Sequence, residues 1–117
     1  MEIRPLLSRC RQAPEELKAL RRQLERLSQR RECQGDSRYR KLLEKREREA
    51  LLDLARLEEY IGLLHDRRAR TVMRYYYLMG WSDTQIGEEL GITDEWARKK
   101  RYAAVRRLER KVENHIA

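Results

Sequence analysis

The sequence contains no run of apolar residues approaching the roughly 18 that a membrane span needs, and its first residues lack the apolar stretch of a signal peptide. A membrane partner is therefore not expected, and the chain reads as cytoplasmic. Cysteine is scarce: Cys10 and Cys33 have no Cys-x-x-Cys spacing, and together with His65 and His115 they make no recognisable metal set. Free thiols are expected, with no metal or other cofactor. Also missing are a Gly-rich phosphate loop, a His-Glu-x-x-His helix, a nucleophile elbow and any compact carboxylate pair clear of Arg or Lys, so catalysis is not expected. No aromatic RNA-module motif is visible either.

Charge is what the chain has in quantity. Lys and Arg number 28 against 20 Asp and Glu, giving a net charge of +8, and charged residues make up 41% of the 117. Such a surface attracts polyanions. The positive excess is denser in residues 67–117 than in 1–66. The length allows one small domain plus an extension.

The densest local signals lie between Trp81 and Val112. Ser82 and Gln85 have the S-x-x-Q spacing of a capping box, and Trp81 and Ile86 are placed as the matching hydrophobic staple. Ile86 and Leu90 share a face of the short helix this begins. Gly87 beside them lets another helix cross closely. Gly91 ends the helix, because glycine alone enters the left-handed turn without steric penalty. Thr93 then caps a second helix, with Asp94 and Glu95 in its positively polarised first turn. Ala97, Ala104, Leu108 and Val112 recur at inward-facing spacing. Glu95, Arg98, Lys99, Tyr102 and Arg106 fall on another side. The layout is that of a DNA-binding helix-turn-helix, with helix 94–112 offered to the major groove. Arg reads guanine O6 and N7, Glu95 suits cytosine N4, and Lys99, Tyr102 and Arg106 reach bases or phosphates. The candidate DNA-binding set is Thr93, Glu95, Arg98, Lys99, Arg101, Tyr102 and Arg106. Ser82, Thr84, Arg70 and Arg74 are the candidate phosphate contacts, which position without specifying sequence.

Arg74 to Ser82 (RYYYLMGWS), Gln85 to Thr93 (QIGEELGIT) and Ala104 to Leu108 (AVRRL) together resemble region 4 of bacterial sigma factors. The resemblance is closest to the small phage-encoded regulators of the ArpU and RinA type, and it covers roughly residues 57 to 112. It implies a transcription regulator of phage or prophage origin that binds a promoter element in double-stranded DNA and contacts RNA polymerase. Gly87 stands where that family usually has Ala, Ala97 where it prefers Val or Ile, and Lys100 where an apolar residue seats the recognition helix. A lysine there calls for a snorkelling stem or a slightly rotated helix.

Upstream, residues 1–13 show no long periodic pattern and read as a flexible arm. Pro14 suits the first turn of a helix running to about Glu32, with a seam of Leu17, Leu20, Leu24 and Leu27. A turn at Gln34 to Ser37, with Asp36 or Ser37 as cap, leads into a helix from about Arg38 to Leu64. Its seam is Leu43, Ala50, Leu54, Leu57, Ile61 and Leu64, with Leu42 and Leu51 at the edge. Each seam is too narrow for a core alone, so the two pack as an antiparallel hairpin or pair with another copy as a homodimer. Interleaved charges such as Glu44 to Glu49 are most simply a solvated face. Asp66 caps a third helix, Arg67 to Met79, ended by Gly80. Val72, Tyr75, Tyr76 and Met79 are its apolar surface, and of the three consecutive tyrosines two are expected in the core and one on the rim.

The expectation is an all-α protein: an arm (1–13), a coiled-coil-like helical hairpin (14–66) and a sigma region 4-like three-helix domain (67–117). Two rivals to the regulator remain at this stage. One is a small terminase-like DNA-packaging subunit, and the other is an RNA polymerase-binding protein with no DNA specificity of its own.

Overall fold

The computed structural model describes residues 3–29 and 35–116. Among these the chain is helical without strands: α1 (Ile3–Gln29), α2 (Asp36–Ile61), α3 (Arg67–Met73), a π-helical turn (Arg74–Leu78), α4 (Asp83–Leu90) and α5 (Asp94–Ile116). None of these helices is long and apolar enough to cross a membrane. The expected end of the first helix at Glu32, the turn from Gln34 and the second cysteine, Cys33, fall at least partly outside the described residues.

Residues 3–13 are not an arm. They form the first three turns of α1, and Ile3, Leu6, Leu7 and Cys10 are buried. The seam continues upstream of Leu17 through Ala13, Cys10, Leu6 and Ile3 with the same alternation of three and four residues. Pro14 lies inside the helix, not at its start. Its missing N–H denies the Cys10 carbonyl a partner, an interruption costing about 3 kcal/mol. Burying four apolar side chains upstream, at about 1.5–3 kcal/mol for each large one, outweighs it.

α2 runs antiparallel to α1, with Arg9 paired to Asp53 at 2.9 Å, Arg21 to Glu47 at 3.5 Å and Gln23 Nε2 donating to the Tyr39 hydroxyl at 3.2 Å. The seams meet within one chain: Ala13, Leu17 and Ala50 form a small cluster, and Leu20, Leu27 and Leu43 are also buried. α2 is capped by Gly35, whose φ of 96° is left-handed, and not by Asp36 or Ser37. Asp36 lies in the first helical turn. Leu42, Leu51 and Leu52 are exposed.

No break in the core falls at residue 66. One cluster joins Ile3, Leu6 and Cys10 of α1, Leu57 and Ile61 of α2, Met73 of α3, and Leu108 and Val112 of α5. The division into a hairpin and a separate C-terminal domain therefore does not divide the packing. Arg4 closes it from outside with a two-pronged pair to Glu109 at 2.8 and 3.1 Å.

Asp66 caps α3, its carboxylate accepting from the N–H groups of Arg68 and Ala69 at 3.0 and 3.4 Å. α3 does not remain α-helical to Met79. At Arg74 it widens, so that the Met79 N–H reaches back five residues to the Arg74 carbonyl at 3.0 Å. The wider turn rotates the residues beyond it. Met79 points to solvent at 51% exposure, whereas Met73 is fully buried with Val72. None of the three tyrosines is fully buried: Tyr75 stacks on Trp81 with centroids 4.4 Å apart, Tyr77 packs against the main core, and Tyr76 meets it edge-on. The guanidinium of Arg11 lies 3.9 Å over the Tyr76 ring and donates to the carbonyls of Tyr76 and Trp81 at 2.7 and 2.9 Å. These are carbonyls that regular α-helix does not satisfy here.

Candidate nucleic-acid interface

α4 begins as its sequence dictates. Ser82 Oγ accepts from the Gln85 N–H at 3.2 Å while Gln85 Oε1 accepts from the Ser82 N–H at 2.9 Å, and Trp81 packs with Ile86 in one cluster. Gly91, at φ 69°, turns the chain, and Thr93 Oγ1 caps α5 by accepting from the Trp96 N–H at 3.1 Å. Gly87 lies tightly against the turn that leads into α5. A Cβ on it would sit 2.6 Å from the Ile92 carbonyl oxygen and 3.2 Å from the Asp94 nitrogen.

With about 100° per residue, the buried positions Ala97, Arg101, Ala104, Val105, Leu108 and Val112 mark the inner side of α5. The opposite side runs along Glu95, Lys99, Arg106 and Arg110, all exposed. Arg98 and Tyr102 occupy the edge towards α4, where Arg98 approaches Asp83 at 3.4 Å. Trp96, Ala103 and Arg107 occupy the edge towards α3. Glu95 and Lys99 form an exposed pair at 3.4 Å, one turn apart. No carboxylate among the described residues pairs with Arg106, Arg107 or Arg110.

Five of the sequence-predicted DNA contacts, Glu95, Arg98, Lys99, Tyr102 and Arg106, thus share one exposed arc, and Thr93 is exposed at its start while committed to the cap. Arg101 does not belong with them. Its guanidinium is bound by Asp83 at 2.9 and 3.2 Å, lies 3.8 Å over the Tyr76 ring, and leaves the residue 7% exposed. Burial disfavours its charge, but the hydrogen bond to Asp83, the electrostatic influence of Tyr76 and Asp83, and a hydrogen bond with Tyr77 hold its pKa above the ordinary arginine value. It locks α4 to α5. Tyr76 thereby stands between two guanidinium groups, one from α1 and one from α5.

The candidate phosphate contacts separate in the same way. Arg70 Nη1 donates to the carbonyls of Leu64 and His65 at 2.7 and 3.0 Å, tying off the segment between α2 and α3. Arg74 pairs with Glu58 at 2.8 Å on the α2 side. Both are occupied in holding helices together. The Ser82 side chain is spent on the capping box, and Thr84 is exposed in the first turn of α4.

Lys100, where an apolar residue was anticipated, sends its ammonium to Asp66 at 2.9 Å and is half-buried, which is the snorkelling arrangement. That hydrogen bond, more than the backbone N–H groups of Arg68 and Ala69, lowers the Asp66 pKa below the usual carboxylate range. Sequence reasoning missed Trp96. It is 51% exposed in the first turn of α5, and its adjacency to Thr93, Asp94 and Glu95 was the available signal. Among the described residues no group of His, Cys, Asp and Glu could hold a metal ion. Comparison with protein-family models, with curated proteins and with solved structures gives no match.

Proposed function

We propose that the protein is a sequence-specific, double-stranded DNA-binding transcription regulator in which α4 and α5 act as a helix-turn-helix of the sigma region 4 type. The observation that carries this reading is the exposed arc of α5. There Arg98, Lys99, Tyr102 and Arg106 project together from a helix whose other side is fixed by apolar burial and by the Arg101–Asp83 lock. A recognition helix needs this division between one side seated and one side free for base edges. The first turn of α4, with Ser82 and Thr84, then lies against the phosphate backbone. The net charge of +8 supplies the non-specific attraction. Contact with RNA polymerase enters only through the motif likeness.

The test is selection of random duplex DNA by the purified protein at about 150 mM salt, where charge-only binding is weakened. A single enriched motif is expected, and Arg106→Gln should lower both its affinity and the slope of log K against log salt by about 0.9 for one lost phosphate contact. If Arg106 instead reads a base, the variant relaxes one motif position. Binding without any enriched motif, fading evenly with salt, would sink the proposal.

A further inference from the structure

The two tryptophans are used differently. Trp81 is stacked on Tyr75 and packed against Ile86. Trp96 belongs to no core cluster, yet its backbone is pinned by Thr93 in the first turn of α5. It flanks a shallow groove of about 180 Å³ lined also by Ala69, Ala103 and Ala104, by Lys99 and Arg107, and by the Asp66–Lys100 pair. The alanines leave one side of the indole uncovered. On the helical wheel Trp96 lies about 60° from Lys99, on the side of the arc away from Arg98 and Tyr102.

We infer that Trp96 is a specificity-determining residue that reads thymine, its indole covering a thymine C5-methyl group in the major groove while Lys99 and Arg107 hold the flanking phosphates. This rests on the DNA-binding reading above. The chemistry favours that base. Indole has a broad apolar surface with a single donor, the C5-methyl is the one apolar group that a base edge offers in the major groove, and apolar side chains are its usual readers. The first turn of a recognition helix is also the part that reaches base edges. An acidic apolar peptide is the other occupant that such a groove would accept. Continuity with the basic arc, from Lys99 to Arg106 and Arg110, favours DNA.

The test repeats the duplex selection with Trp96→Ala and Trp96→Phe, then measures affinity for the selected site with each thymine replaced in turn by deoxyuridine, which lacks only the methyl group. For the wild type, one replacement should weaken binding about fourfold, the worth of one buried methyl-sized group. Trp96→Ala should bind about tenfold more weakly, as half an indole stays uncovered. It should lose thymine at that motif position alone and no longer distinguish deoxyuridine there, while Trp96→Phe keeps the discrimination. Because only about half of the side chain is buried, the thermal midpoint of Trp96→Ala should fall by no more than a few degrees, leaving the protein folded in the assay. A motif that Trp96→Ala leaves intact, or that contains no methyl-sensitive thymine, overturns this inference while the DNA-binding reading stands. The absence of any wild-type motif overturns both.

Discussion

Replacing Gly87 by alanine in the middle of a helix ordinarily stabilises it by about 0.8–1.0 kcal/mol. In this protein the sign should reverse. The added methyl would meet three backbone atoms: the Ile92 carbonyl oxygen at 2.6 Å, and the Thr93 carbonyl carbon and Asp94 nitrogen at 3.2 Å. No flexible side chain can move aside, so the start of α5 must shift by several tenths of an ångström. That shift acts on the Ile92 N–H bond to the Gly87 carbonyl, 2.9 Å, and on the Thr93 cap to Trp96, 3.1 Å. Overpacking against backbone alone falls in the upper part of the usual range, about 2–3 kcal/mol, which leaves a net loss of about 1–2 kcal/mol after the propensity gain. For a domain of this size that is a fall in the thermal midpoint of about 4–8 °C, read by circular dichroism at the helix band. Gly91→Ala is the companion: nothing lies within 4 Å of its added Cβ, so its cost comes only from φ 69° and should be about 1 kcal/mol, with Gly91→Asn milder. A Gly87→Ala protein that melts higher than the wild type would refute the reasoning, since it would mean that α4 and α5 have room between them.

Deleting residues 3–13 removes Ile3, Leu6, Leu7 and Cys10 from the main core. The loss is of the order of the whole stability of a domain, so the shortened protein should give the collapsed amide spectrum of an unfolded chain and not that of a folded α3–α5 unit. Arg101→Ala removes the two-pronged partner of Asp83, leaving it only the longer contact to Arg98, and should cost roughly 2 kcal/mol in chemical denaturation. Arg101→Lys should recover little, because an ammonium reproduces neither the fork nor the stacking. The Asp66 carboxylate is held below its ordinary pKa by Lys100, so its contribution to stability is complete above the unfolded value of about 3.9 and disappears as pH falls through the lower folded value. Lys100→Met should move the Asp66 titration, followed by carboxyl NMR, back up towards that ordinary value. Burial pushes the Cys10 thiol up to about 12, so unfolding is favoured as pH rises above about 8.5, where an exposed thiol ionises. In a Cys33→Ser background, alkylation of Cys10 at pH 8 should therefore be far slower in the native protein than in denaturant.

The parts of this fold that could be read in advance are those whose partners lie within a few residues. Ser82 with Gln85, Gly91, and Thr93 with the helix it starts all depend on backbone groups one turn away, and their residue types are chosen for that. The inward positions of α5 were legible for a related reason, since Ala97, Ala104, Leu108 and Val112 keep helical phase. Arg101 was not. Nothing in its neighbourhood announces that its carboxylate partner is Asp83, and a basic residue on a basic helix looks like surface until the helix before it is docked. α1 was hidden by chemistry of another kind: Cys10 and Ala13 are weak seam residues, and Pro14 resembles a helix start more than an interruption. The π turn concealed the tyrosines and Met79, because one widened turn shifts the phase of every position after Arg74.

The main core draws its members from residues 3–10 and from residues 104–112. Loops this long are slow to close, since their entropy is lost before any contact repays it. On the ribosome, α1 and α2 can pair while the rest of the chain is still being made, but Leu6 and Leu57 must wait for Leu108 with part of their surface bare. Closure of this core is thus timed by the emergence of α5. During that interval a holdase chaperone would find its apolar target at the junction of α1 and α2, a site that closes once α5 arrives.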